Sequence, residues 1–286
     1  MPGVGGCYND SVTTADSHAP VVAASSIRFV LCDLDGVVWL ARTAIPGAAE
    51  AVQALRDSGR RVLFVTNNSM SPVAEQEAAL ARIGVPAEGD VVTSAQAAAG
   101  LVAPGERVLV AGGPGVVEAL HGRDAVVRRA ADAGSKEAFD AVIVGLHHDF
   151  DYDGLQAANA AIRAGARFIA TNTDATFPTP AGPTPGAGAL LAAVRTVTEC
   201  EPVIAGKPHA PMAELVAERC GASFTAKSAL MVGDRASTDG RFAEAIGCRF
   251  ALVRTGVAAP GGPLDADVDV SIDAASLEVL AHQLVA

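Results

Sequence analysis

The chain has 286 residues and a formal net charge of −11; half of it is hydrophobic, while only 4% is aromatic and 19% charged. That length allows one large domain or two ordinary ones with a sizeable core, and the hydrophobic content excludes disorder over most of the chain. The negative charge makes it a poor electrostatic partner for nucleic acid or an anionic membrane, so neither is expected to bind.

Residues 1–26 are rich in Gly, Ser, Thr, Ala and Asp. They lack the basic and long apolar regions of a secretory signal, and a flexible tail is expected there. From residue 28, the run RFVLCDLD reads as a short buried strand that ends directly in acids. Apolar spacing predicts a helix over 47–58, a second strand at 61–66, a polar loop at 67–69 and a helix over 72–83. Strand-like runs recur at 107–111, 141–146 and 167–171, with helical stretches between them. A segment dense in Pro and Gly, 177–188, reads as a boundary. Beyond it, strands at 202–205, 229–232 and 249–253 alternate with helices at 211–220 and 238–246. This order predicts an α/β fold with a parallel sheet, interrupted by a second α/β insert. No apolar run reaches the roughly 18 residues of a spanning helix. Cys7, Cys32, Cys200, Cys220 and Cys248 form no C-x-x-C pair, which favours reduced thiols and a cytoplasmic setting.

The predicted strand ends carry the chemistry. Asp33 and Asp35 are two apart, so on an extended segment both carboxylates face one site. Asp234 and Asp239 follow another strand after Gly233. Carboxylates gathered at one crevice repel each other unless a cation joins them, and an oxygen-only set favours a hard ion such as Mg²⁺. Thr66, Asn67 and Asn68 offer hydroxyl, amide and backbone donors suited to phosphate oxygens. Lys207, one of only three lysines, sits in a Gly-Lys-Pro turn. Taken singly, each of these residues has an ordinary alternative as a helix cap, turn or solvated charge. His147 and His148 suit a loop better than a metal site, since neighbours on an extended strand point apart. Gly112-Gly-Pro-Gly115 lacks a Walker lysine and reads as a turn, while Cys32 and Trp39 read as core packing.

Asp33-Leu-Asp35-Gly-Val-Val, Thr66, Lys207 and Gly233-Asp234…Asp239 together resemble the four motifs of the haloacid dehalogenase superfamily of phosphatases. Thr66-Asn-Asn-Ser69, Gly206-Lys-Pro208 and the stretch from Thr171-Asn-Thr-Asp174 to Gly188 are similar to its NagD and p-nitrophenyl phosphatase branch. Within that branch, the loop holding Asp174 and Phe177 looks most like that of actinobacterial glycerol-3-phosphate phosphatases. The resemblance implies a Rossmann-like core over 27–93 and 189–286 and an inserted α/β cap over 94–188. Gly240 departs from the branch, which usually has an aliphatic residue there.

The same resemblance implies a mechanism. Asp33 is the nucleophile that becomes aspartyl-phosphate, and Asp35 is the acid/base. Mg²⁺ is held by Asp33, Asp234 and the Asp35 backbone carbonyl, with Asp239 supporting water or Lys207. Thr66, Asn67, Asn68 and Lys207 bind phosphate, and Asp174 and Phe177 lie toward the leaving group. The expected partner is a small phosphate ester, glycerol 3-phosphate first, with pyridoxal phosphate or phosphoglycolate as alternatives. A homodimer through the cap also fits the branch. A phosphotransferase or mutase and a non-catalytic ligand-binding protein are the competing classes, separable by phosphate release.

Overall fold

The computed structural model describes residues 24–133, 137–179 and 181–286. The tail expected over 1–26 lies outside the described residues except for a 3-10 turn at Ala24–Ser26, and so do Cys7 and Lys136.

Phe29–Cys32 is buried at every position and pairs in parallel with Ala229–Gly233 on one side and Arg61–Thr66 on the other. An unbroken apolar strand of this kind needs cover on both faces. Val91–Thr93 extends the sheet at one end, and Arg249–Val253 and Ile272–Ala274 extend it at the other, giving six parallel strands. Alternate residues serve opposite faces. Val30 and Cys32 cluster with the helices Ala48–Asp57 and Leu277–Val285, whereas Phe29 and Leu31 cluster with Ala210–Cys220 and Arg241–Ile246.

A second parallel sheet runs in the order Val203–Ile204, Arg167–Ala170, Ala141–Val144, Arg107–Ala111, Val126–Arg129. Tyr152–Arg163 and Ala187–Thr198 cover one face through Ala158, Ile162, Leu191 and Val194. On the other face, Val108, Val110 and Ile143 join the same cluster as Leu31. Between the sheets lies the helix Ser94–Gly100, whose Ala97, Ala98 and Ala99 are small enough to let both sheets share that core. Its start is set by a capping box between Thr93 and Gln96. The α/β class and the parallel core expected from the sequence are therefore present.

The return to the first unit comes later than the residue 189 expected from the sequence. Ala187–Thr198 packs on the second sheet and Val203–Ile204 pairs with Arg167–Ala170, so this sheet continues to residue 204. The Pro and Gly segment interrupts the pattern without ending the unit. Within it, Thr176–Thr179 and Gly182–Pro185 form an antiparallel hairpin, where Pro178 faces Pro183 in an isolated ribbon that tolerates missing donors. Val126–Arg129, a half-exposed edge strand, has no counterpart among the predicted elements.

Candidate active site

The site lies beyond the carboxyl ends of the first sheet's strands, as open α/β sheets favour. Asp33 follows Phe29–Cys32, Thr66 ends Arg61–Thr66, and Asp234 follows Ala229–Gly233. Glycines make room for the acids. A Cβ on Gly36, whose φ is +87°, would meet Asp234 Oδ2 at 2.3 Å, and one on Gly233 would meet Asp239 Oδ2 at 2.2 Å.

Lys207 reaches this cluster from the other sheet, three residues beyond Val203–Ile204. It is 1% exposed, with Nζ 2.9 Å from Asp33 Oδ1 and 2.8 Å from Asp239 Oδ1. Asp33 Oδ1 also accepts the Leu34 N–H at 2.8 Å, and Asp239 Oδ2 accepts the Arg235 N–H at 3.2 Å. Asp234 Oδ2 accepts the Val257 N–H at 2.6 Å. These bonds engage both oxygens of Asp239 but only one each of Asp33 and Asp234. These contacts suit Asp239 to holding Lys207, with the other two acids left able to take a further partner.

One buried ammonium faces Asp33, Asp35, Asp234 and Asp239, and the imbalance shows in their protonation. Asp35 is pushed up to about 7, first by burial and then by the charge of Asp33. The indole N–H of Trp39, buried and without a partner at hydrogen-bond geometry, still favours the Asp35 anion. Burial also raises Asp234 and Asp239; the Asp33 charge adds to both, and Lys207 opposes both. Burial works against the charged form of Lys207, but Asp239 and Asp33 overcome it and raise its pKa. Oxygens of Asp33, Asp234 and Asp239 lie within 4.8 Å of one another. Clustered carboxylates that resist joint ionisation, with oxygen-only donors, fit a hard divalent cation such as Mg²⁺.

All ten site residues expected from the sequence line one cavity of about 510 Å³. Their uses differ from expectation in two places. Asn67 gives its side-chain amide to protein: Oδ1 accepts the Lys207 N–H at 2.8 Å, and Nδ2 donates to Asp174 Oδ2 at 2.8 Å and to Lys207 O at 3.1 Å. Asp174 is engaged as well, accepting from Asn67, from Thr238 Oγ1 at 3.2 Å and from Arg235 Nη1 at 3.4 Å. Both side chains are thus engaged by protein groups at the cavity wall. Thr66 is buried, and its side-chain oxygen accepts the Asn68 N–H at 3.0 Å. Asn68 turns Oδ1 to the Met70 N–H at 3.0 Å, and half-buried Phe177 lines the wall.

Arg42, Gln76, Leu146, His148 and Arg235 also line the cavity, and the sequence singles out none of them as site residues. Arg42 and Ala41 form the two-residue turn of the hairpin Trp39–Leu40 and Thr43–Ala44, both with positive φ. No Gly or Asn marks that turn in the sequence. The two histidines diverge: His147 Nδ1 lies 2.9 Å from Gly145 O, while exposed His148 faces the cavity. Cys32 is buried in the core, and burial raises its thiol.

A crevice of strand-end acids around a buried lysine, between a parallel core and an inserted α/β unit, defines a haloacid dehalogenase-type hydrolase. Sequence profiles agree: that of haloacid dehalogenase-like hydrolases matches residues 30–125, and a second, HAD-hydrolase-like profile matches 204–270. The chain belongs to this family. It is 43% identical over 234 residues to the D-glycerol 3-phosphate phosphatase of Mycobacterium tuberculosis, an alignment covering 80% of this chain and 63% of that protein. The chain thus spans less than two thirds of that relative's length. Phosphoglycolate phosphatase 2 of Arabidopsis thaliana is 33% identical over 263 residues, covering 84% of this chain and 87% of the relative. The crystal structure of a glycerol phosphate phosphatase from Mycobacterium tuberculosis in complex with magnesium superposes with a TM-score of 0.73 at 39% identity, covering 82% and 70% of the two chains.

Proposed function

We propose that this chain is a Mg²⁺-dependent phosphatase that hydrolyses a small phosphate monoester, with glycerol 3-phosphate as first choice. The observation that carries the reading is Lys207, buried between Asp33 and Asp239 while Asp35 and Asp234 face the same cavity.

Asp33 has one oxygen steadied by Leu34 N–H and Lys207, and its carboxylate attacks phosphorus in line. The P–O bond to the alcohol breaks, Asp35 gives its proton to the departing oxygen, and the phosphoryl group rests on Asp33. Asp35 then takes a proton from the water that attacks phosphorus, releasing inorganic phosphate and restoring Asp33. A carboxyl near 7 can serve as acid and then as base at neutral pH. Lys207 stays charged through the cycle, and it and the Thr66 hydroxyl stabilise the non-bridging oxygens. When bound at Asp33, Asp234 and the Asp35 carbonyl, Mg²⁺ offsets the repulsion between the phosphate dianion and these acids.

The choice of glycerol 3-phosphate rests on the likeness of the Asp174 and Phe177 loop and on the 43% identical relative. Cavity size favours a second reading: about 510 Å³, walled by Trp39, Leu146 and Phe177, also accommodates a ring-bearing ester such as pyridoxal phosphate. Phosphoglycolate is the third candidate. Phosphate release from these esters and p-nitrophenyl phosphate, ranked by kcat/KM, decides among them. An aromatic ester favoured over glycerol 3-phosphate by more than about tenfold, or about 1.4 kcal/mol, overturns the first choice. The edge strand Val126–Arg129 supports a homodimer through the second unit, to be measured as solution mass. The acidic charge supports a cytoplasmic enzyme that binds neither nucleic acid nor membrane, and among the described residues no helix is long and apolar enough to cross a bilayer.

A further inference from the structure

Asp174 leaves the second sheet four residues after Arg167–Ala170, yet among the described residues its carboxylate bonds only to groups from the first unit. Asn67 belongs to the loop after Arg61–Thr66, Arg235 follows Ala229–Gly233, and Thr238 lies in the π-helical turn Ala236–Gly240. Three donors converge on two oxygens, so the carboxylate is committed before any substrate arrives. A phosphate dianion brought beside it would be repelled rather than bound.

The groups that Asp174 holds lead directly to the reacting centre. Asn67 clamps the Lys207 main chain from both sides, through Oδ1 to the N–H and Nδ2 to the carbonyl. Because Oδ1 must face that N–H, Nδ2 must face Asp174, and the amide has a single orientation. Arg235 lends its backbone N–H to Asp239 Oδ2, and Asp239 Oδ1 holds the Lys207 ammonium. The segment carrying Asp174 is itself tightly seated. Asn172 Nδ2 donates to Asn67 O at 2.8 Å, and a Cβ on Gly206 would meet Thr171 O at 2.4 Å.

We propose that Asp174 is a positioning residue: through Asn67 it fixes the Lys207 turn, and through Arg235 and Thr238 it fixes the Asp234 and Asp239 loop. It thereby ties the second sheet to the groups that face phosphorus. This inference rests on the phosphatase reading. A misplacement of about 1 Å at a reacting centre costs on the order of a hundredfold, so Asp174→Ala should lower kcat on p-nitrophenyl phosphate about 10- to 100-fold. KM should stay within about threefold, because the lost interaction is felt in the transition state. In an Asn67→Ala background, the same substitution should lower kcat by less than about threefold further, since its main route to Lys207 is already cut. Asp174→Asn keeps the volume but sets an amide against Asn67 or turns it from Thr238; it should lose less than Asp174→Ala, and it serves alone should Asp174→Ala not fold by circular dichroism. Wild-type turnover with kcat unchanged in folded Asp174 variants overturns the positioning role alone. So do losses that multiply in full with Asn67→Ala, or a loss carried by KM. A wild-type protein that releases no phosphate from any ester overturns the phosphatase reading and the positioning role with it.

Discussion

The two sheets share one design, parallel strands under helices, and direct their strand ends toward one crevice with opposite chemistry. The first sheet's ends carry Asp33, Thr66 and Asp234. The second sheet's ends at Ala111 and Val144 carry glycine instead, and these glycines serve as seats. A Cβ on Gly113 would meet Met70 O at 2.7 Å, one on Gly115 would meet Ser71 O at 2.5 Å, and one on Gly145 would meet Ser69 Oγ at 2.9 Å. The Gly-Gly-Pro-Gly run is thus a close fit for the loop after Thr66. At the edge formed by Arg167–Ala170 and Val203–Ile204 the second sheet contributes Asp174 and Lys207, and beyond Val144 it contributes His148. Architecture is common to both sheets, whereas chemistry depends on what stands at the strand ends.

Breaking the charged side should have the largest effect. Asp33→Asn removes the proposed attacking group while keeping the shape, and phosphate release should fall about 10⁴-fold or more, as for the loss of other catalytic nucleophiles. Retained turnover in this variant would place the chemistry elsewhere than the first sheet's strand ends.

A smaller effect concerns the stability of the same acids. Asp35 is raised from 3.8 to about 7, and Asp234 and Asp239 are raised with it. A carboxyl raised in the folded state gives stability that is complete below its ordinary value and is lost as pH rises through the folded value. Metal-free protein should therefore lose stability between about pH 4 and 8 through these groups, at up to about 1.4 kcal/mol per pH unit for each. Mg²⁺ supplies the missing positive charge. The gap in Tm between Mg²⁺-loaded and EDTA-treated protein should widen by about 5 °C or more across that window. A gap that stays constant or narrows would separate the acids from the metal.

Much of this was legible in the sequence because the carboxylates that line the cavity lie close together along the chain. Asp33 and Asp35 are two apart, Asp234 and Asp239 five apart, and each pair follows an apolar strand that marks its place. What stayed hidden is long-range. Asn67 and Asp174 are 107 residues apart, and no local pattern reveals that each satisfies the other. The amides of Asn67 and the family likeness of the Asp174 loop point toward phosphate and substrate, and neither shows the bond between the two side chains. The strand before Lys207 was legible, but its sheet was not, since a two-residue strand does not specify its neighbour. Arg42 escaped notice because an Arg in a hairpin turn carries no distinctive spacing, and His148 reads as a loop residue with nothing to show that its loop borders the cavity.

The glycine side of the comparison predicts the smallest effect. Gly115 is the second residue of the helix Pro114–His121, where alanine would ordinarily be the better helix former by about 1 kcal/mol. Here the added methyl would lie 2.5 Å from Ser71 O and 2.7 Å from Ser69 O, both backbone atoms that cannot rotate away. Gly115→Ala should therefore destabilise the protein by about 1–3 kcal/mol, as overpacking does, with kcat per folded molecule within about threefold of wild type. Gly100 makes the control. It ends the helix Ser94–Gly100 with nothing within 4 Å of an added Cβ, so Gly100→Ala should be neutral or stabilising by up to about 1 kcal/mol. Thermal unfolding of the pair isolates the close approach from the general cost of a glycine. Equal shifts would mean that the second sheet's glycines are not seats, and that its ends are merely uncharged.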